Sequence, residues 1–317
     1  MNIEEGVELR EAGIVAPILV MGGHYGNAHE EVVARGLTPV VHDLGQVEAF
    51  ARLVRSGKVN GPVDVHLKVD TGMARLGVTP EELPAVAEGL AARPELRMRG
   101  LMTHLACADA PTCDETEEQL SRLEEATALL ERIGLRPEQR HAANSAALLR
   151  GLARLDAVRP GIALFGVAPR VGGAQLSADL KAVMRVRTEI IALRDVNEGD
   201  SVGYGATWRA PGRSRVATLP LGYADGLSRR LSNRGHVLVR GRRVPIVGSV
   251  SMDMTMVDVT SVEGVSVRDE VVVLGAQEGM LGRDVIDADE IARQSDAIAW
   301  EVLTGVSRRV PRFYRDP

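Results

Sequence analysis

Residues 63–78 read VDVHLKVDTGMARLGV. The first eight make an apolar strand that runs straight into a glycine turn. Lys68, Asp70 and Arg75 then sit where such a strand ends, and an apolar interior does not tolerate three charges. In a parallel α/β barrel the C-terminal ends of the strands form a polar rim, and sites are built there. Read that way, the three charges belong to a rim and need no place in the core.

The flanking sequence repeats the pattern. Apolar runs occur at 17–23 (PILVMGG), 38–43 (TPVVHD), 63–70, 96–104 (LRMRGLMTH), 140–145 (RHAANS) and 156–166 (DAVRPGIALFG). Between several of them lie helical stretches such as 44–57, 80–94 and 114–134, each ending near Gly or Pro. Strand and helix alternating at about 30-residue spacing point to βαβ units and a parallel sheet. His24, Asp43, Asp70, Arg75, His104, Asn144, Ser145 and Arg159 all fall at strand ends. From about residue 179 the pattern changes to strands joined by hairpin turns, with one helical stretch at 287–305 and a last strand expected at 308–314. The expected fold is α/β: a (β/α)8-type barrel, N-terminally incomplete, over 1–178, followed by a mainly antiparallel β domain over 179–317. The count of six strands is two short of a closed barrel, about 60 residues at ~30 per unit. Such a shortened barrel is expected to expose apolar interior and to be poorly soluble on its own.

Composition narrows the function classes. The 317 residues carry a formal net charge of −5, which gives no footprint for nucleic acid. The chain shows no apolar run long enough for a membrane span and no secretory signal at its acidic N-terminus. Cys107 and Cys113, in CADAPTC, read as two reduced thiols of a cytoplasmic protein and not as a metal site. The only lysines are Lys58, Lys68 and Lys181.

At this point the motifs resemble those of the alanine racemases, pyridoxal-phosphate enzymes with an α/β barrel and a C-terminal β domain. The likeness is carried by APILVMGG, HLKVDTGMARLGV, GLMTHLACAD, HAANSAA, VRPGIALFG, VGYGATW, PLGYADG, PIVGSVSMD and SRRVPRFY, in the family's order. The family begins with two further βα units whose first strand carries the cofactor lysine. This sequence starts after that motif, so the resemblance implies a chain shortened at its N-terminus.

The resemblance also assigns roles. Racemisation removes the Cα proton on one face and returns it on the other, so two bases must flank Cα. One is the cofactor lysine; the other matches Tyr204, supplied by the partner subunit of a homodimer. His104 is implied to contact that tyrosine, and Arg159 to contact His104 while facing the cofactor's pyridine nitrogen. A reading of Arg159 without the family is a guanidinium tying strands together through carboxylates such as Asp156. Ser145 and the backbone N–H groups of Gly161 and Ile162 match phosphate contacts, Asn144 steadies the ring, and Trp300 stands where many members have a tyrosine at the phosphate. Arg75, Met252, Asp253 and Tyr223 match substrate contacts or the access channel. Lys68 matches a lysine that is carbamylated in some members and buttresses the arginine. The implied function is pyridoxal 5'-phosphate-dependent interconversion of L- and D-alanine for peptidoglycan, with no metal. The alternatives are a broader amino-acid racemase and a non-catalytic, degenerate cofactor-binding homologue.

Overall fold

The structure, a computed structural model, describes residues 2–315 apart from 23, 25, 27, 113 and 177. The chain divides into two compact units, Met1–Ala163 with Ala168–Ala178, and Leu164–Val167 with Asp179–Pro317.

In the first unit, β1 (Leu19–Val20), β2 (Thr38–Val41), β3 (Val63–Lys68), β4 (Leu96–Met102) and β5 (Gln139–His141) pair in sequential order, every pair parallel. Helices α1 (Ile3–Glu11), α2 (Ala28–Ala34), α3 (Leu44–Arg55), α4 (Leu83–Ala91), α5 (Asp114–Arg132) and α6 (Ser145–Leu149) alternate with them. This is the arc of an α/β barrel, five strands where closure takes eight. The helices form because their apolar residues recur at helical spacing: Val47, Phe50 and Ala51 on α3, and Leu83, Val86, Ala87 and Leu90 on α4, pack on the sheet. Two of the expected rim residues cap helices instead of standing free. Asp43 accepts the Gln46 N–H at 2.8 Å and Asn144 the Ala147 N–H at 3.0 Å.

The expected sixth strand, 156–166, is reduced to one parallel bridge between Ala157 and His141. Pro160 has no N–H to offer a ladder, and the chain turns into a short 3₁₀ helix at Ile162–Phe165. A small hairpin, β6 (Arg170–Val171) with β7 (Ala174–Gln175), follows. Cys107 is disulfide-bonded, which corrects the expectation of a free thiol there; Cys113 lies outside the described residues.

The second unit holds β8 (Val186–Glu189), β9 (Ala192–Val196), β10 (Ser201–Val202), β11 (Trp208–Arg209), β12 (Ser214–Leu219), β13 (His236–Val239), β14 (Arg242–Pro245), β15 (Thr255–Asp258), β16 (Glu270–Gly279) and β17 (Gly282–Ile286). All their pairings are antiparallel, in sheets ordered β15-β12-β9 and β14-β13-β16-β17, with β8 also on β16. The run 184–196, which reads as one strand, splits because neighbouring N–H groups bond to different sheets: Ile190 to Asp269 O and Ile191 to Thr218 O. The helical stretch 287–305 is two helices, α7 (Ala288–Gln294) and α8 (Ala299–Thr304). Asp296 at φ +51° breaks it. The last expected strand, 308–314, is a turn and an extended tail; Val310 N–H bonds back to Ser307 O.

The loop 70–77 is closed on itself. Asp70 N–H donates to Val78 O at 2.9 Å and Val78 N–H to Lys68 O at 2.8 Å. Gly77 lies at φ +140°, and a Cβ there would stand 2.4 Å from the Asp70 nitrogen. Gly77→Ala should therefore cost about 1–3 kcal/mol, measured by chemical denaturation followed by circular dichroism. Gly161→Ala, where a Cβ meets nothing within 4 Å, should stay within about 0.5 kcal/mol of the parent. Equal effects at the two sites would contradict this account of the loop.

Candidate active site

The rim of the first unit is built around Arg159. Its chain segment follows β5, and its own N–H bonds Ala143 O at 2.9 Å. The guanidinium turns inward. Nη2 donates to Thr103 O at 2.5 Å and Ala142 O at 3.0 Å, and Nη1 lies 2.6 Å from His141 Nδ1. Nη2 also lies 3.4 Å from His104 Nδ1. Arg159 does tie strand ends together, but through carbonyls and imidazoles; Asp156 instead receives the Arg140 N–H. Burial pushes Arg159 down to about 10, so it remains charged at neutral pH.

Because a guanidinium only donates, its bonds settle the tautomers beside it. His141 accepts at Nδ1, so its proton is on Nε2, which lies 2.9 Å from His66 Nδ1. His104 accepts at Nδ1 and carries its proton on Nε2. Both rings are held neutral. Burial and then the Arg159 charge push His104 down to about 4 and His141 to about 3. His66 on β3 reaches His141 on β5 across β4 because the residue between them is Gly100, where a Cβ would stand 2.2 Å from His66 Nδ1.

Lys68 ends β3 and is buried, and its ammonium is disfavoured by burial, then by Arg75 and Arg159. Asp70 offers it little, since that carboxylate accepts the Gly72 and Met73 N–H groups at 2.9 and 2.8 Å. Arg75 is exposed and has no carboxylate partner among the described residues. Ser145 is buried at the start of α6, where its Oγ accepts the Ala163 N–H at 3.2 Å. Gly161 is exposed beside buried Ile162, with open space where a side chain would be. Lys68, Arg75 and Arg159 thus face one committed carboxylate, and this donor set suits an anionic ligand that brings phosphate and carboxylate. Pyridoxal phosphate with an amino acid is such a ligand. The covalent lysine has no counterpart among the described residues: Lys58 pairs with Glu30, Lys181 belongs to the second unit, and Lys68 is buried, its ammonium disfavoured by burial and by the charges of Arg75 and Arg159.

Sequence reasoning missed the residues that hold this rim. Gln119 on α5 is 1% exposed, and no helix face requires an amide there. Its Oε1 accepts the Ala106 N–H at 2.8 Å, while Nε2 donates to His104 O at 2.9 Å and Thr71 Oγ1 at 3.2 Å. One buried amide therefore fixes the loops that carry Arg75 and His104. For His141, a signal existed: a glycine inside a central strand marks a close approach from its neighbours.

In the second unit, Tyr204, Tyr223, Met252 and Asp253 line one open cleft of about 960 Å³, with Arg229, Ser249 and Met254. Tyr204 is 75% exposed. Gly203 and Gly205 flank it at φ +74° and +75°, and Ser249 Oγ donates to its carbonyl at 2.9 Å. Trp300, on α8, is exposed and is not among the residues that line that cleft.

The match to known proteins agrees with this two-part plan. The model of the alanine racemase N-terminal domain matches residues 1–169, and that of the C-terminal domain residues 183–314. An alanine racemase of Sorangium cellulosum is 58% identical over 319 residues, which cover 99% of this chain and 83% of that protein. The structure of the alanine racemase from Streptomyces coelicolor A3(2) superposes with a TM-score of 0.90 at 34% identity, covering all of this chain and 83% of its own. That of Bartonella henselae, solved with covalently bound pyridoxal phosphate, gives 0.86 at 28%, covering 99% and 83%.

The neutral histidines predict how stability depends on pH. His24, His104 and His141 sit at about 4, 4 and 3 when folded and near 6.5 when unfolded. Between those values the unfolded chain binds more protons, so stability falls on acidification. The melting temperature should drop steadily from pH 6.5 to 4, and His141→Asn should flatten that slope. A slope unchanged by the substitution would contradict the assignment.

Proposed function

As this chain belongs to the alanine racemase family, we propose that it interconverts L- and D-alanine with pyridoxal 5'-phosphate, its first unit holding the cofactor and its second presenting substrate contacts and a base. The observation that carries this is the hub of Arg159, His141 and His104 beside a rim rich in cations.

When bound, the cofactor supplies an electron sink that makes the Cα proton removable. Ser145 and the N–H groups of Gly161 and Ile162 would hold its phosphate, and Asn144 would steady the ring. Arg159 presents a positive charge that stays on the protein, so a basic ring nitrogen held next to it would remain unprotonated. Arg75 grips the substrate carboxylate with a planar fork. Lys68, disfavoured as a cation, is suited to carbamylation, which would give Arg75 an anion to lean on.

Tyr204 serves as the base. A phenol titrates near ~10 and needs a donor to stabilise its anion. His104 is that donor: Nδ1 is engaged by Arg159, which leaves an Nε2–H to give. Met252 and Asp253 meet the substrate, Tyr223 lines the access channel, and Trp300 closes it near the phosphate. The enzyme works as a cytoplasmic homodimer, each site combining the first unit of one chain with Tyr204, Met252 and Asp253 of its mate. Its product, D-alanine, is destined for peptidoglycan.

Tyr204→Phe, in a protein that carries the cofactor lysine, should lower kcat/KM for alanine racemisation by about 10²–10⁴-fold and leave the melting temperature unchanged. Undiminished racemisation by the variant, or none by the parent across a panel of amino acids, would overturn the reading.

A further inference from the structure

The segment 307–314, SRRVPRFY, forms no strand, and the reactions above give it no task. Its Arg309 bridges two carboxylates from separate parts of the second unit. Nε donates to Asp225 Oδ1 at 2.7 Å and Nη2 to Asp253 Oδ1 at 2.6 Å. Asp225 is mostly buried, and its other oxygen accepts the Gly222 N–H at 2.8 Å, closing the 3₁₀ turn that carries Tyr223.

That turn is laced to the loop of Met252. Tyr223 N–H donates to Ser251 O and Ala224 N–H to Met252 O, both at 3.0 Å. Only glycine fits at 222, since a Cβ would stand 2.3 Å from Ser251 O. On the far side, Ser307 N–H donates to Asp225 O at 3.0 Å. Segments 222–226, 251–254 and 305–309 therefore meet at one arginine.

An exposed ion pair adds little to global stability. Holding two carboxylates in one planar fork does fix direction, which a lysine's point charge does not. We propose that Arg309 is a positioning residue: it tethers Asp253 to the Tyr223 turn and so sets the orientation in which the Met252–Asp253 loop meets the substrate carboxylate. The tether stands on geometry alone; its effect on alanine rests on the racemase reading.

The test compares the parent with Arg309→Ala and Arg309→Lys, by amide hydrogen exchange and by alanine kinetics in the holoenzyme. In Arg309→Ala, the Tyr223 and Ala224 amides should exchange about tenfold faster, with β13 and β16 unchanged. KM for alanine should rise about tenfold with kcat within about threefold. Arg309→Lys should fall between, and the KM effect should vanish in an Asp253→Ala background. Unchanged exchange at the two amides, faster exchange everywhere alike, or a fall in kcat at constant KM would overturn the proposal. Should the parent not racemise alanine, the racemase reading fails while the exchange data still decide the tether.

Discussion

A part-buried guanidinium with no carboxylate partner among the described residues organises the rim of the first unit. Stripping a charge of water is costly, and the protein must return those interactions. Arg159 recovers them from two carbonyls at strand ends and two imidazoles. The consequence runs outward. Imidazoles that accept from an arginine are neutral and have one defined tautomer, so the charge of Arg159 decides where the protons of His104 and His141 lie. Imidazoles with their protons on Nε2 are thereby set at a rim whose carboxylate, Asp70, is already committed to backbone N–H groups. The same cationic surplus, extended by Lys68 and Arg75, matches a ligand that carries phosphate and carboxylate.

The scaffold serves this hub through small steric and polar decisions. Gly100 leaves room for His66 to reach His141 across a strand, and Gly77 lets the Arg75 loop close on its own strand end. Gln119 comes from the helical layer and bonds both rim loops at once. An amide buried among apolar neighbours is stabilising only when its bonds are made, and here they are. The second unit uses the same devices: left-handed glycines turn Tyr204 outward, and a bridging arginine draws loops together.

The architecture was legible where periodicity was strong. Strands 38–43, 63–70 and 96–104 and helices α3, α4 and α5 follow directly from alternation and helical spacing, and the change to hairpins near residue 179 marks the second sheet system. Three readings failed for local reasons. Pro160 stops 156–166 from laddering, Ile190 and Ile191 divide one run between two sheets, and the αL residue Asp296 cuts a helix in two. Among site residues, the charges at strand ends were visible because they interrupt apolar runs. Gln119 was not, since one more polar residue in a helix of polar residues gives no pattern, and its partners lie 13 to 48 residues away; His141 was signalled only indirectly, by the glycine at 100.

Burial and then one arginine keep the two imidazoles neutral. The most direct measurement is nitrogen-15 NMR of the histidine rings in the protein across pH 4 to 8. His104 and His141 should show protonated Nε2 and bare Nδ1 throughout the neutral range, without titrating until the pH falls to about 4 or below. Rings that titrate near the ordinary value of 6.5, or that carry their proton on Nδ1, would contradict it.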